Sequence, residues 1–360
     1  MSWERELDEI EDQLTHAVPA AARVALLERA VQLCDAHDAI DVAWSYREEL
    51  LSAVYYTGDW DKLLVHFAWC LGRHDREPAR FPLNDLLWKY KWVVTEAACM
   101  PQIGRARLLA LLADMERRFL AAGSTQRAVH EHAAIVHTSL GDADVARAAL
   151  TRWEQTERDW LSDCVACEHA TRASLLDELG DADASLEVLR GILARRLTCA
   201  EEPHRTYAKL VAPLWRRGER AHAIEAFRQG YPLVRGGDKH VDSHAAYLRF
   251  VAAAGLDDEA VAMFERHVAA AVACPSAWPR MLFFEATRFA MSTLAARGHR
   301  VVAARLPEGV DVPDRDRATV EALASWAGAQ AEKHVAAFER RNGNDHMRRF
   351  VRRWVDLPIA

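Results

Sequence analysis

The spacing of four glycines constrains this chain more than any other feature. Gly141, Gly180, Gly218 and Gly255 follow one another at intervals of 39, 38 and 37 residues. Five residues after each stands a small side chain: Ala146, Ser185, Ala223 and Ala260. Nine residues after each stands a large apolar one: Leu150, Leu189, Phe227 and Phe264. Side chains four apart share a helix face, so each glycine precedes a helix with a close-approach point and an apolar plug on one side. Repeats of this length describe helix pairs that bury their apolar faces against their neighbours.

Between the glycines the apolar residues recur every three or four positions, as in Leu175, Leu176 and Leu179, then Leu186, Leu189, Ile192 and Leu193. Gly180-Asp181 separates those two runs, and Gly58-Asp59, Gly141-Asp142 and Gly218-Glu219 repeat the break. Glycine accepts the left-handed conformation that ends one helix, and the acidic residue is expected to cap the next. Strand signals are weak throughout. Residues 1–20 read as a short acidic helix that ends before Pro19. After Gly298 the pattern fails, because Pro307 takes the place of the apolar plug. A loop over residues 306–314 and a helix from about Arg317 to Arg341 are expected there, followed by a basic segment with Arg348, Arg349, Arg352, Arg353 and Trp354.

These positions resemble the tetratricopeptide repeat family, whose pattern sets alanine five residues and an aromatic nine residues after a turn glycine. Gly218, Ala223 and Phe227 follow it, as do Gly255, Ala260 and Phe264, while Gly58 keeps Phe67 but has Leu63 at the alanine position. The resemblance spans roughly residues 25–300, in about seven units. It implies an all-α fold: an α-solenoid, a right-handed superhelix of helical hairpins. Residues 1–24 would form an N-terminal capping helix, 25–300 the repeats, and 301–360 a loop plus C-terminal helices that cap the stack. It also implies a non-enzymatic scaffold or adaptor that binds protein or peptide partners in a concave groove lined by the first helix of each pair. Counting back from the turns places Glu48, Tyr55, Trp88, Lys91, Trp215 and Arg249 in that groove, although Tyr55 and Trp215 can equally pack between repeats. Some members of the family grip a C-terminal carboxylate with a lysine and an asparagine one turn apart. Lys91 stands at a comparable position here, but Thr95 replaces the asparagine.

Composition narrows the remaining classes. A net charge of −7 gives no overall attraction to nucleic acid. No stretch approaches the ~20 apolar residues of a membrane span, and the charged start is unlike a signal peptide. Seven cysteines in a long chain make no disulfide framework, so reduced thiols are the expectation. With no span or signal pattern and an arginine- and alanine-rich composition, a bacterial cytoplasmic location is expected. Cys164, Cys167, Cys199 and His204 are the candidate metal ligands. Hairpin geometry brings the start of one first helix, the end of its partner and the start of the next pair to one edge of the stack. Three thiolates and an imidazole there would hold a structural zinc in a closed site. The alternative is that the cysteines are ordinary small, partly buried residues. A ligand-responsive regulator and a metal- or thiol-dependent enzyme using Cys164 and Cys167 complete the readings. No phosphate loop or nucleophile motif supports the enzyme. The basic segment reads as a docked terminal helix with solvated arginines, or as a site for an anionic partner. Partner identity and oligomeric state lie outside what the sequence states.

Overall fold

The computed structural model describes residues 2–302 and 305–360. The chain is all-α apart from a two-residue antiparallel pairing of β1 (Val301–Val302) with β2 (Ala318–Thr319). Seven hairpins follow in order among the described residues. They are α1 (Trp3–Thr15) with α2 (Ala20–Ala36), α3 (Ile40–Thr57) with α4 (Trp60–Arg76), and α5 (Asn84–Ala98) with α6 (Arg105–Ala121). Then come α7 (Arg127–Leu140) with α8 (Ala143–Gln155), α9 (Val165–Glu178) with α10 (Ala182–Ala194), α11 (His204–Arg216) with α12 (Arg220–Val234), and α13 (Val241–Ala253) with α14 (Asp257–Ala273). Three helices close the chain: α15 (Ala277–Ala296), α16 (Val320–Asn342) and α17 (His346–Val355). From α3 onward each first helix packs on its own partner and on the first helix of the next pair, giving a continuous inner row α3, α5, α7, α9, α11, α13 and α15. None of the described helices is long and apolar enough to cross a membrane.

The repeat positions do what their spacing requires. Gly141, Gly180, Gly218 and Gly255 all have φ between +76° and +96°, which only glycine adopts without strain. Ala146, Ala223 and Ala260 are fully buried where the paired helices approach, and Ser185 uses the same close approach to donate a hydrogen bond to the Ala173 carbonyl at 2.7 Å. The acidic residues after the glycines depart from expectation. Asp59 caps α4 through its side chain, but Asp142, Asp181 and Glu219 make no cap hydrogen bond. Each instead pairs with an arginine on the second helix of the preceding hairpin: Arg105 with Asp142 at 2.7 Å, Arg147 with Asp181 at 2.6 Å, and Arg190 with Glu219 at 2.5 Å. The residue that would stabilise one helix end thus ties two consecutive hairpins together, a contact that local pattern does not show.

The apolar core is built in two blocks. One joins α1–α7, the other joins α9–α17, and a small cluster of Ala134, Ala149, Leu150, Trp153, Leu175 and Leu176 bridges them. Ionic contacts reinforce this thin seam. Arg127 on α7 grips both oxygens of Glu168 on α9 at 3.0 and 2.9 Å, and Arg158 in the intervening loop pairs with the same carboxylate.

Candidate functional site: the inner face of the stack and a three-cysteine edge

The stack curls until distant parts of it meet. At the C-terminal ends of the inner helices, Arg341 from the end of α16 donates to the Ala98 carbonyl that ends α5 at 2.6 Å. It also donates to the Ser139 carbonyl and hydroxyl on α7 at 3.0 and 2.8 Å. Asn342 and Asn344 add hydrogen bonds to the Ser139 and Leu140 carbonyls. Next to them, Gly141 has a second role: a Cβ there would stand 2.6 Å from the Cβ of His346, so the turn glycine also admits the start of α17. The last residues then run along the same row of helix ends. Arg353 donates to the Asp177 and Glu178 carbonyls, and Arg216 donates to the Arg353, Trp354 and Asp356 carbonyls. Near the other edge, the Lys239 ammonium lies 5.5 Å from the Tyr56 ring centroid, although 183 residues separate them.

This closure decides the fate of the six residues expected in the groove. Trp215 is buried, with its indole N–H donating to the Pro358 carbonyl at 2.7 Å, and Arg249 is buried with its guanidinium 4.0 Å from the Trp354 ring centroid. Both anchors are occupied by the chain's own terminal segment. Lys91 is buried too: its ammonium sits 3.3 Å over the Trp88 ring, donates to the Leu161 carbonyl at 2.8 Å and pairs with Asp163. It holds the loop between α8 and α9 instead of facing a partner, so no lysine clamp stands open at this position. Tyr55 stacks on Trp92 at 4.2 Å and remains half-buried, as do Trp88 and Glu48. Burial raises the Glu48 carboxyl, Lys89 opposes that shift and Asp85 adds to it. Because Lys91 is a paired charge at the seam, Lys91→Met should cost about 3–5 kcal/mol by leaving Asp163 without its cation. Thermal melting tests this, with a fall of about 5 °C expected for a chain of this length; an unchanged midpoint would show that the seam does not depend on Lys91.

A different set of side chains faces the interior. Glu96 on α5 and Glu178 on α9 are half-buried, and their carboxyl groups make neither a hydrogen bond nor an ion pair among the described residues. Burial pushes both carboxyls up to about 8. The charges that act on Glu96 are Arg205 on α11, which opposes the shift, and Asp242 on α13, which adds to it. Neither helix is an extensive packing partner of α5, so the charges that act on Glu96 come from hairpins three and four places further along the stack. Glu178 senses Asp177 beside it, and Lys209 and Arg353 opposite. Lys209 is itself anchored to the Ala170 carbonyl at 3.2 Å. Local pattern carried no signal for this set. Only the position of Glu96, one turn after the tyrosine-stacked Trp92 on the same helix face, could have nominated it.

The cysteine cluster forms at the opposite edge. Cys164 caps the N-terminus of α9, Cys167 lies in its first turn, and Cys199 sits in the loop after α10. Their three Sγ atoms all lie within 4.8 Å of one another, with Cys167 and Cys199 3.4 Å apart. Burial pushes the Cys167 thiol up, and hydrogen bonds with Cys199 and Cys164 add to the shift. His204 opens α11 as expected but lies outside this group. Its ring packs against His240 at 5.3 Å, beyond the Glu202-Pro203 step. The basic segment is largely engaged internally: Arg348 bridges Glu332 and Glu339, Arg349 pairs with Asp345, and Phe350 stacks on Trp278 at 5.1 Å.

With inner and outer helix rows in place, the chain is a tetratricopeptide-like helical repeat protein. No family model matches it, and no curated protein does. Among solved structures, it is similar to the crystal structure of the P58(IPK) TPR domain at 12% identity, with 98% of this chain and 97% of that chain covered and a TM-score of 0.25. The helix pairing itself, rather than that likeness, defines the architecture.

Proposed function

We propose that the protein is a non-enzymatic scaffold that holds an extended segment of a partner protein, bearing basic side chains, against the inner helices. The observation that carries this reading is the pair of unpartnered carboxylates, Glu96 on α5, one turn from the Trp92 that stacks on Tyr55, and Glu178 on α9. A lysine or arginine would supply the missing counter-charge, and the stacked aromatics offer a flat apolar contact for the intervening backbone. An array of extended peptides tests the proposal. Lys- and Arg-bearing peptides should outbind acidic ones, and Glu96→Gln with Glu178→Gln should weaken binding about tenfold, equivalent to about 1.4 kcal/mol. Equal binding of acidic peptides, or an indifferent double variant, would sink it.

A second reading rests on the terminal segment that covers Trp215 and Arg249. A partner that competes for those two residues would have to displace it, making the scaffold a regulated one. A crosslink engineered between positions 216 and 356, which pins the terminal segment without replacing the charges around Glu178, separates the readings. Binding that survives the crosslink favours the carboxylate face, and binding that disappears favours displacement.

A further inference from the structure

We propose that Cys164, Cys167 and Cys199 bind one zinc ion through three thiolates, with the fourth coordination position open to solvent. Zinc–sulfur bonds of about 2.3 Å in a tetrahedral site imply sulfur–sulfur separations of about 3.8 Å. The three Sγ atoms, one pair at 3.4 Å and all within 4.8 Å, reach that arrangement by small side-chain rotations. The backbone around them is arranged for anionic sulfur. The Cys167 amide donates to the Cys164 Sγ at 3.3 Å, and the Glu201 amide donates to the Cys199 Sγ at 3.3 Å. Cys164 and Cys167 also stand at the N-terminus of the 14-residue helix α9, where partial positive charge favours a thiolate.

Binding is a balanced exchange in which Zn²⁺ displaces three thiol protons, three Zn–S bonds form and three protons leave to solvent. No oxidant or reductant takes part. Among the described residues no fourth ligand atom joins the set, and His204 packs against His240 instead. Cys164 is exposed, so the open position faces water. Closed four-ligand zinc sites are structural, whereas a site of three protein ligands accepts a fourth from outside. The metal would fasten the start of α9 to the loop before α11. Two residues after Cys199 in that loop, Glu201 holds Lys239 at 3.1 Å, next to Tyr56 on the inner face. The inference goes beyond the scaffold reading and does not depend on it.

The test uses the full chain, purified without a histidine tag, reduced and titrated with Co²⁺ and then with Zn²⁺. One Co²⁺ per chain should bind with thiolate-to-metal absorption in the near ultraviolet, and Zn²⁺ should displace it with release of no further protons. Zinc should protect Cys164, Cys167 and Cys199 from alkylation while Cys99 and Cys274 react as before. Cys199→Ser should weaken binding by at least about hundredfold, and His204→Ala should leave it within about twofold. Equal alkylation of the three cysteines with and without zinc would overturn the site. So would a Cys167–Cys199 disulfide forming on mild oxidation in a chain that takes up no metal, which would make the pair a redox element. A His204→Ala variant as impaired as Cys199→Ser would overturn the open position. The serine variant's circular dichroism, if unchanged, shows that a loss of binding is not a loss of fold.

Discussion

Arg341→Met should open the curled stack. The guanidinium is buried and makes four hydrogen bonds, to the Ala98 carbonyl, the Ser139 carbonyl, the Ser139 hydroxyl and the neighbouring Asn342 side chain, and burial pulls its pKa down to about 10. Methionine fills most of the stem's volume but supplies no donor. The carbonyls that end α5 and α7 lose a charged partner, and each hydrogen bond to a charged group is worth about 1.5–3 kcal/mol. Some of that returns when opening lets water reach the carbonyls, which leaves a net cost of about 3–5 kcal/mol and a melting midpoint about 5 °C lower. Arg341→Lys should fall between the two, since a lysine can reach one carbonyl but not span two helices.

The shape change is the more discriminating readout. Arg341, Asn342 and Asn344 tie the end of α16 to helices some two hundred residues earlier. In a repeat stack each unit otherwise contacts only its neighbours, so one such tie restrains the curvature accumulated over all of them. The variant should show a larger radius of gyration in solution scattering and faster proteolysis near Gly343. A destabilised variant with unchanged dimensions would mean that packing between neighbouring hairpins sets the curvature and that Arg341 only adds to it.

These long-range ties also explain which parts of the molecule were legible in the sequence. The hairpins were, because each depends on neighbours a few positions apart: a glycine at positive φ, a small residue, a plug. The long helix expected from about 317 to 341 is α16, Val320–Asn342, and its start shifts because Ala318 and Thr319 pair with Val301 and Val302 before Thr319 caps the helix. The cysteine edge was legible because hairpin geometry places the start of α9 beside the end of α10, whereas the orientation of His204 depends on His240, a residue of the connection between α12 and α13. The groove was not legible. Counting back from turns identifies a helix face but says nothing of a segment 140 residues away returning to cover Trp215, or of Asp163 claiming Lys91. Glu96 was missed for the same reason, as its environment is written by Arg205 and Asp242 on helices of later hairpins that do not pack extensively on its own.

The two interior carboxylates predict a distinctive pH signature. Glu96 and Glu178 are raised to about 8 by burial, against about 4.5 in the unfolded chain. Below pH 4.5 both states are protonated and the pair imposes no cost. Between 4.5 and 8 the unfolded chain has released these protons and the folded one retains them, so stability falls as pH rises. Above 8 the cost is constant. Other buried groups, such as His132 and His267, act in the opposite direction at acid pH, so the informative quantity is the difference between wild type and the Glu96→Gln, Glu178→Gln variant. That difference should be near zero below about pH 4 and grow to about 10 °C in favour of the variant at pH 8.5. Arg205 opposite Glu96, and Lys209 and Arg353 opposite Glu178, moderate the effect, while Asp242 and Asp177 enlarge it. A basic peptide reverses the sign. It favours the ionised carboxylates, so its affinity for the wild type should rise with pH up to about 8 and its binding should release protons. In the glutamine variant both effects should vanish. Stability differences that follow this course without any pH-dependent peptide affinity would leave the two glutamates as buried acids of the fold and remove them from the binding face.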